Sequence, residues 1–324
     1  MSFATARGDI KAIQEEILRL KEERNAVILA HNYQLPEVQD VADFVGDSLG
    51  LARKAAQTDA EVIVFCGVNF MAETAKILNP DKTVLIPDPG AGCSLADSIT
   101  VEQLREWKKQ HPGAVVVCYI NTTADVKTEC DYIFTSSNAV KVINAIPEDR
   151  EILLLPDKYL GMWIRRVTGR ENIRIWDGAC HVHAGLSYEE MKRLKETYPD
   201  AELLVHPECG CSSQCLYNAS LMDGNNGIEV KILSTSGMIR YAARSDRQKF
   251  IIATEVGILY PLKKKNPHKE FLPANREAVC EYMKMITIEK LRDSLREMKY
   301  RIELPDEVME RALLPIKRML ELSS

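Results

Sequence analysis

The chain is predicted to be an α/β protein made of three homologous three-layer αβα domains, their small parallel sheets set about a pseudo-threefold axis with the active site at the centre. Three observations predict this. Short, continuous apolar runs of strand length alternate with segments of helical spacing, the pattern of parallel strands covered by helices on both faces. That pattern recurs at roughly 87 residues. Each copy also carries polar, reactive residues at the end of its first strand, where open α/β sheets hold their ligands.

The first element is an amphipathic helix with Ile10, Ile13, Ile17 and Leu20 on one face. It leads into an apolar strand, Ala26 to Ala30, that ends in His31, Asn32 and Tyr33. The corresponding runs are Ala114 to Asn121 and Ala201 to Glu208, so that Tyr33, Asn121 and Glu208 are spaced by 88 and 87 residues. Fifteen residues after Tyr33 and Asn121, Ser48 and Ser136 each open a helical segment. Their counterpart is Thr235, delayed by an insertion within Cys209 to Gly227. A basic residue five positions on (Arg53, Lys141, Arg240) keeps the register. Each copy closes with a second buried strand: Val62 to Phe65, Ile152 to Leu155, and Phe250 to Ala253. The expected domains are residues 1–95, 96–182 and 183–275, followed by C-terminal helices over 276–324 that carry Cys280.

This layout sends His31, Tyr33, Tyr119, Asn121, His206 and Glu208 to equivalent strand ends. Ser48, Ser136 and Thr235 are expected to cap the helices they open. A helix N-terminus with a hydroxyl beside it binds anions well. Three such termini around one axis suit a substrate with several carboxylate or phosphate groups.

Composition excludes other classes. Of 324 residues, 46% are apolar and 27% charged, with 14 Pro and 16 Gly, which is a globular balance and neither disordered nor fibrous. Apolar runs such as Ala114 to Ile120 fall far short of the ~18 residues of a membrane span. The opening MSFATARGDI has no signal-peptide core, so a cytoplasmic protein is expected. The net charge is −5 and the only basic block is Lys263 to Lys265, so no nucleic-acid or membrane partner is expected. Nucleotide motifs are missing: Gly90-Ala-Gly92 begins a G-x-G-x-x-G, but Leu95 stands at its third glycine.

Nine cysteines, an odd number in a chain expected among reduced thiols, do not suggest a disulfide framework. Cys66 and Cys118 lie inside apolar strands and read as core. Cys209, Cys211 and Cys215 have a spacing that matches neither zinc knuckles nor ferredoxins. A zinc site joining them to His206, or using the run Cys180-His181-Val182-His183, stays open as an alternative. The repeat offers another solution. Cys93 and Cys180 follow the closing strands of the first two copies, 87 residues apart, and Cys280 holds the corresponding place in the third. Three converging thiolates would hold an iron–sulfur cube and leave one iron open as a Lewis acid.

The runs AHNYQ at Ala30 to Gln34, GDS at Gly46 to Ser48, FMAETAKIL from Phe70, YINT from Tyr119, HPEC from His206 and STSGM from Ser234 resemble the bacterial quinolinate synthase family over essentially the whole chain. The resemblance implies condensation of iminoaspartate (iminosuccinate) with dihydroxyacetone phosphate to quinolinate, phosphate and two waters, in NAD biosynthesis. It implies a [4Fe-4S] cluster on Cys93, Cys180 and Cys280, and substrate binding by His31, Ser48, Tyr119, Asn121, Ser136, His206, Glu208, Ser234 and Thr235. Tyr33 and Glu208, with His206 beside them, are the expected catalytic residues. It also implies a functional link to an aspartate oxidase or aspartate dehydrogenase that supplies the imine. Two other classes remain as alternatives: an iron–sulfur redox sensor or electron-transfer protein, and a zinc-stabilised structural protein.

Overall fold

A computed structural model describes residues 7–212 and 230–323. The first repeat runs α1 (Arg7–Glu23), β1 (Ala26–His31), α2 (Pro36–Val41), β2 (Phe44–Gly46), α3 (Ser48–Gln57), β3 (Val62–Cys66), α4 (Asn69–Leu78) and β4 (Thr83–Leu85). The second runs α5 (Val101–Gln110), β5 (Val115–Tyr119), α6 (Ala124–Lys127), β6 (Tyr132–Phe134), α7 (Ala139–Asn144), β7 (Ile152–Leu155), α8 (Lys158–Thr168) and β8 (Ile173–Ile175). The third contains α9 (His181–Ala184), α10 (Tyr188–Thr197), β9 (Glu202–Val205), β10 (Val230–Ile232), α11 (Thr235–Arg244), β11 (Lys249–Ala253), α12 (Leu259–Lys265) and β12 (Glu270–Pro273). The chain ends in α13 (Glu281–Lys284), α14 (Ile288–Glu297) and α15 (Asp306–Glu321).

Each repeat forms its own parallel four-stranded sheet, and the order is the same in all three: β2-β1-β3-β4, β6-β5-β7-β8 and β10-β9-β11-β12. The central strands are mostly apolar because helices cover both faces; β3, β5 and β7 are buried at every position. Registers coincide as well. Ala30 pairs with Cys66, Cys118 with Leu155, and Val205 with Ala253. His31, Tyr119 and His206 therefore occupy one equivalent position, and Tyr33, Asn121 and Glu208 another, two residues beyond. The first two repeats agree down to a side chain. Asp43 accepts the Ile28 amide at 2.8 Å, and Asp131 accepts the Val116 amide at 2.8 Å.

The last helices tie distant parts of the chain together. Helix α14 packs against α1, and α15 lies across α4, α6 and β6. Arg296 reaches Glu16 at 2.6 Å, while Arg311 on α15 meets Glu129 at 3.0 Å.

Two expectations need correction. The residue before each predicted cap does the capping: Asp47 accepts from the Gly50 amide and Ser234 from the Gly237 amide, so Ser48 and Thr235 are the first residues of their helices. In the second repeat Asn138 binds the Thr135 amide at 2.6 Å, which holds a turn, and α7 starts only after it. Ser136 thus lies in that turn, not on a helix. The second correction concerns sulfur. Cys118 and Cys130 form a disulfide with Cα atoms 6.1 Å apart, because the crossover through α6 returns the chain beside β5. Cys118 is still core, as is the buried thiol Cys66. The insertion, with Cys215, lies outside the described residues.

Candidate active site at the junction of three repeats

Parallel sheets present their C-terminal strand ends to one side, and a strand order that reverses beside the first strand opens a crevice there. The three crevices meet in one cavity of about 720 Å³, counting its open mouth. It is lined by His31, Tyr33 and Ser48 from the first repeat, Tyr119, Asn121 and Ser136 from the second, and His206, Glu208 and Thr235 from the third. Cys93, Cys180 and Cys280 line it too. Ser234 is the one predicted site residue outside this lining. Its hydroxyl is engaged in capping α11 and in accepting from Ser137 at 2.8 Å.

Two hydrogen-bonded chains bracket the cavity, the first with one residue per repeat and the second with one residue from the segment that follows each sheet. On the helix side, Ser137 donates to Asp47 at 2.6 Å and to Ser234 at 2.8 Å. On the cysteine side, the residues that follow the three cysteines join: Ser94 meets His181 at 2.6 Å, and His181 meets Glu281 at 3.0 Å. These links fix the distance between loops that no sheet connects.

The reactive core is a network around Glu208. Its carboxylate is buried, accepts from the Tyr119 phenol, and lies 3.0 Å from Nδ1 of His183. That approach is near enough for an ion pair but off the direction of a hydrogen bond, so His183 Nδ1 has no hydrogen-bond partner. On its other side, His183 Nε2 meets the Thr254 hydroxyl at 2.9 Å, and that hydroxyl meets Tyr33 Oη at 2.5 Å. Burial alone would push Glu208 up and His183 down, yet their mutual attraction wins. The carboxyl is held down at about 2 and the imidazole well above its usual range. At His31 and His206 burial outweighs the pull of the Asp47 and Glu208 carboxylates. Burial lowers them to about 4 and about 3, which keeps both imidazoles neutral. Burial raises the Tyr33 and Tyr119 phenols, so both carry their protons.

His183 is not one of the catalytic residues the sequence predicts; its run, Cys180 to His183, suggests at most a zinc ligand there. It stands three residues after Cys180, on the short helix α9, and only the folded chain turns it toward Glu208. Asn121 Oδ1 is buried in the cavity without a hydrogen-bond partner, an acceptor left for a ligand.

The sulfur donors divide into two sets. Burial, with a smaller push from the neighbouring Cys180, raises the Cys93 thiol well above its usual range and Cys280 to about 11. Cys93, Cys180 and Cys280, gathered in the lining of one cavity, form a thiol donor set that fits a metal centre. Cys180, His183 and Glu208 also have ligand atoms within 4.8 Å of one another and could hold a metal ion. Cys209 and Cys211 instead are buried in the third repeat's core, where Cys209 donates to the Ala253 carbonyl at 3.1 Å. The third cysteine of that zinc alternative, Cys215, lies outside the described residues.

A three-repeat α/β scaffold whose strand ends converge on acid, base and thiol side chains defines an enzyme for small-molecule substrates, with side chains that could hold a metal. The profile of the family described as quinolinate synthetase A protein matches residues 15–321. The chain belongs to this family. It is 56% identical over 309 residues to the quinolinate synthase of Pyrobaculum aerophilum, covering 95% of this chain and 99% of the relative. It is 56% identical to the quinolinate synthase of Thermus thermophilus, covering 97% of each. With the quinolinate synthase of Mycobacterium leprae it shares 52% identity over 325 residues, 99% of this chain and 91% of the relative. No helix among the described residues is long and apolar enough to cross a membrane.

Proposed function

We propose that this protein is a quinolinate synthase, which condenses iminoaspartate with dihydroxyacetone phosphate to give quinolinate, phosphate and two waters. The observation that carries the assignment is the single cavity where the strand-end residues of three repeats meet three cysteines. Family membership supports it and gives no support to a redox sensor or electron carrier. Residues 1–95, 96–182 and 183–275 act as the three domains, with 276–324 as a clamp across them. In this reading Cys93, Cys180 and Cys280 hold a [4Fe-4S] cluster, whose open iron supplies Lewis acidity toward a substrate oxygen.

The protein's own groups do the rest. The first turns of α3 and α11 present Ser48 and Thr235 with the amide donors of a helix start, which suits carboxylate and phosphate oxygens. Neutral His31 and His206 donate or accept hydrogen bonds without adding charge, and Asn121 Oδ1 receives a substrate N–H or O–H. The ion pair of Glu208 and His183 works from both ends. Glu208 accepts a proton from substrate carbon. His183 supplies one through Thr254 to Tyr33, which hands it to a leaving or imine-forming atom. Such general acid–base assistance contributes typically ~10²–10⁴-fold.

The test is quinolinate formation by anaerobically reconstituted protein given dihydroxyacetone phosphate with oxaloacetate and ammonia, which generate the imine in place. Iron and sulfide are counted on the same sample. Product that disappears in Cys280→Ala, together with the iron, supports the assignment; a loaded cluster with no product overturns it. Supply of the imine by an aspartate oxidase or dehydrogenase is part of the same proposal.

A further inference from the structure

The three residues that leave each first strand face a common problem. They turn out of the sheet, so their carbonyls lose ladder partners, and an unpaired buried carbonyl is costly; among them, the Ile120 carbonyl regains one backbone donor, the Thr122 amide at 2.8 Å. In the first repeat the side chain of Gln39, on α2, solves it. Its amide nitrogen donates to the carbonyl of Asn32 at 3.2 Å and to that of Gln34 at 2.9 Å, the two residues that flank Tyr33. In the second repeat the equivalent position is Lys127 on α6. Its ammonium donates to the carbonyl of Ile120 at 2.9 Å and to that of Thr122, the two residues that flank Asn121. In the third, Ser212 donates to the carbonyl of Pro207, just before Glu208, at 3.1 Å. All three side chains are buried, Lys127 and Ser212 completely.

From these contacts we infer that Gln39 and Lys127 are positioning residues for the synthase reaction: each clamps the two carbonyls beside a cavity residue and thereby aims Tyr33 or Asn121 at the substrate. The inference rests on the proposed function for its kinetic consequences, but the clamp itself is a statement about backbone order. A role in charge could explain a buried lysine beside Glu73, whose carboxylate accepts the Ala124 amide at 2.8 Å. It does not explain why a neutral glutamine makes the same pair of bonds in the first repeat. What the two side chains share is a nitrogen with at least two hydrogens, placed between two carbonyls.

This comparison supplies the test. In full-length, cluster-loaded protein, Lys127→Met removes both donors at similar size, whereas Lys127→Gln removes the charge and restores the donor found in the first repeat. Gln39→Met is the matching change on α2. Displacing a positioned group by about 1 Å costs on the order of 10²-fold. Lys127→Met is therefore expected to lower kcat/KM by about that factor, mainly through KM, because Asn121 binds substrate. Gln39→Met is expected to act mainly through kcat, because Tyr33 moves protons. Lys127→Gln should remain within roughly threefold of wild type.

Amide hydrogen exchange over residues 119–123 and 31–35 is followed in parallel, since it reports the clamp without any turnover. Exchange should quicken in the first segment for Lys127→Met, in the second for Gln39→Met, and in neither for Lys127→Gln. Unchanged kinetics and exchange in both methionine variants overturn the clamp, and so does a glutamine variant as damaged as the methionine one. If Lys127→Met does not fold, Gln39→Met and Lys127→Gln still decide the matter. A wild-type protein that makes no quinolinate sinks the proposed function alone, because the exchange data continue to judge the clamp.

Discussion

Replacing Glu208 with glutamine removes the charge at the centre of the site while keeping its shape. The carboxylate lies 3.0 Å from His183 Nδ1 and accepts the Tyr119 phenol, and both partners are buried. Breaking a buried ion pair from one side costs about 3–5 kcal/mol when the other charge stays behind. Here that cost is smaller, because an imidazole can shed its proton and return to the neutral form that burial favours. The stability loss should therefore be about 1–2 kcal/mol, at the low end of what large buried polar changes produce. Turnover should suffer much more. The variant lacks both the proton acceptor and the imidazolium, so kcat should fall by ~10²–10⁴-fold at unchanged iron content. The assay is quinolinate formation by Glu208→Gln, His183→Gln and the double variant, each with iron counted and thermal unfolding measured. If the two groups act as one unit, the double variant is no slower than either single one. Near-normal turnover in Glu208→Gln with a full complement of iron would refute the acid–base assignment. Multiplicative losses in the double variant would refute the coupling.

Three further outcomes are expected. Partial burial pushes the Glu129 carboxyl up, but hydrogen bonds from Lys108 and Arg105 prevail and hold it at about 2, below its unfolded value. Its contribution is therefore present above about pH 4.5 and lost as pH falls toward about 2. Glu129→Gln should cost about 1–2 kcal/mol near neutrality, and a denaturation series in pH should show that gap closing in acid. A Cβ at Gly178 would overlap the Pro156 carbonyl oxygen and the Ser98 hydroxyl. Gly178→Ala should shift the loop that carries Cys180, lowering bound iron and stability by about 1–3 kcal/mol; full iron content with unchanged melting would contradict this. Arg170 is buried and donates to the carbonyls of Ile146 at 2.7 Å, Pro147 at 2.9 Å and Arg150 at 3.1 Å. Arg170→Met leaves the Ile146 carbonyl without its donor, while Pro147 keeps the Arg150 amide and Arg150 keeps Asn172; it should destabilise by about 1–3 kcal/mol in urea unfolding.

Much of this architecture was legible in the sequence because duplication preserves register. Spacings of 88 and 87 residues placed Tyr33, Asn121 and Glu208 at one position of three strands, and the strand pairing puts them there. The edge strands β4, β8 and β12 were not legible, since two of them are three residues long and carry no distinct pattern. The caps slipped by one because Asp47 and Ser48, or Ser234 and Thr235, are both acceptable caps by residue type, and only backbone angles separate them. His183 could not be assigned to Glu208 from the sequence, because that contact depends on how the short helix α9 packs beside the end of β9, where the Gly210 amide donates to the His183 carbonyl at 3.0 Å. The Cys118–Cys130 bond was hidden for a related reason: a small crossover helix sets which two sulfurs meet.

The placement of the three cysteines also constrains the order in which the molecule can be made. Each sulfur follows the last strand of a different sheet, and the third arrives at residue 280, near the end of the chain. The helix that then braces the first sheet, α14, packs on α1 from the opposite end of the sequence. Chain closure over such separations is slow compared with local folding. A growing polypeptide therefore exposes single thiols and pairs before it offers the full trio, and the three sulfurs are brought together only when the fold is complete.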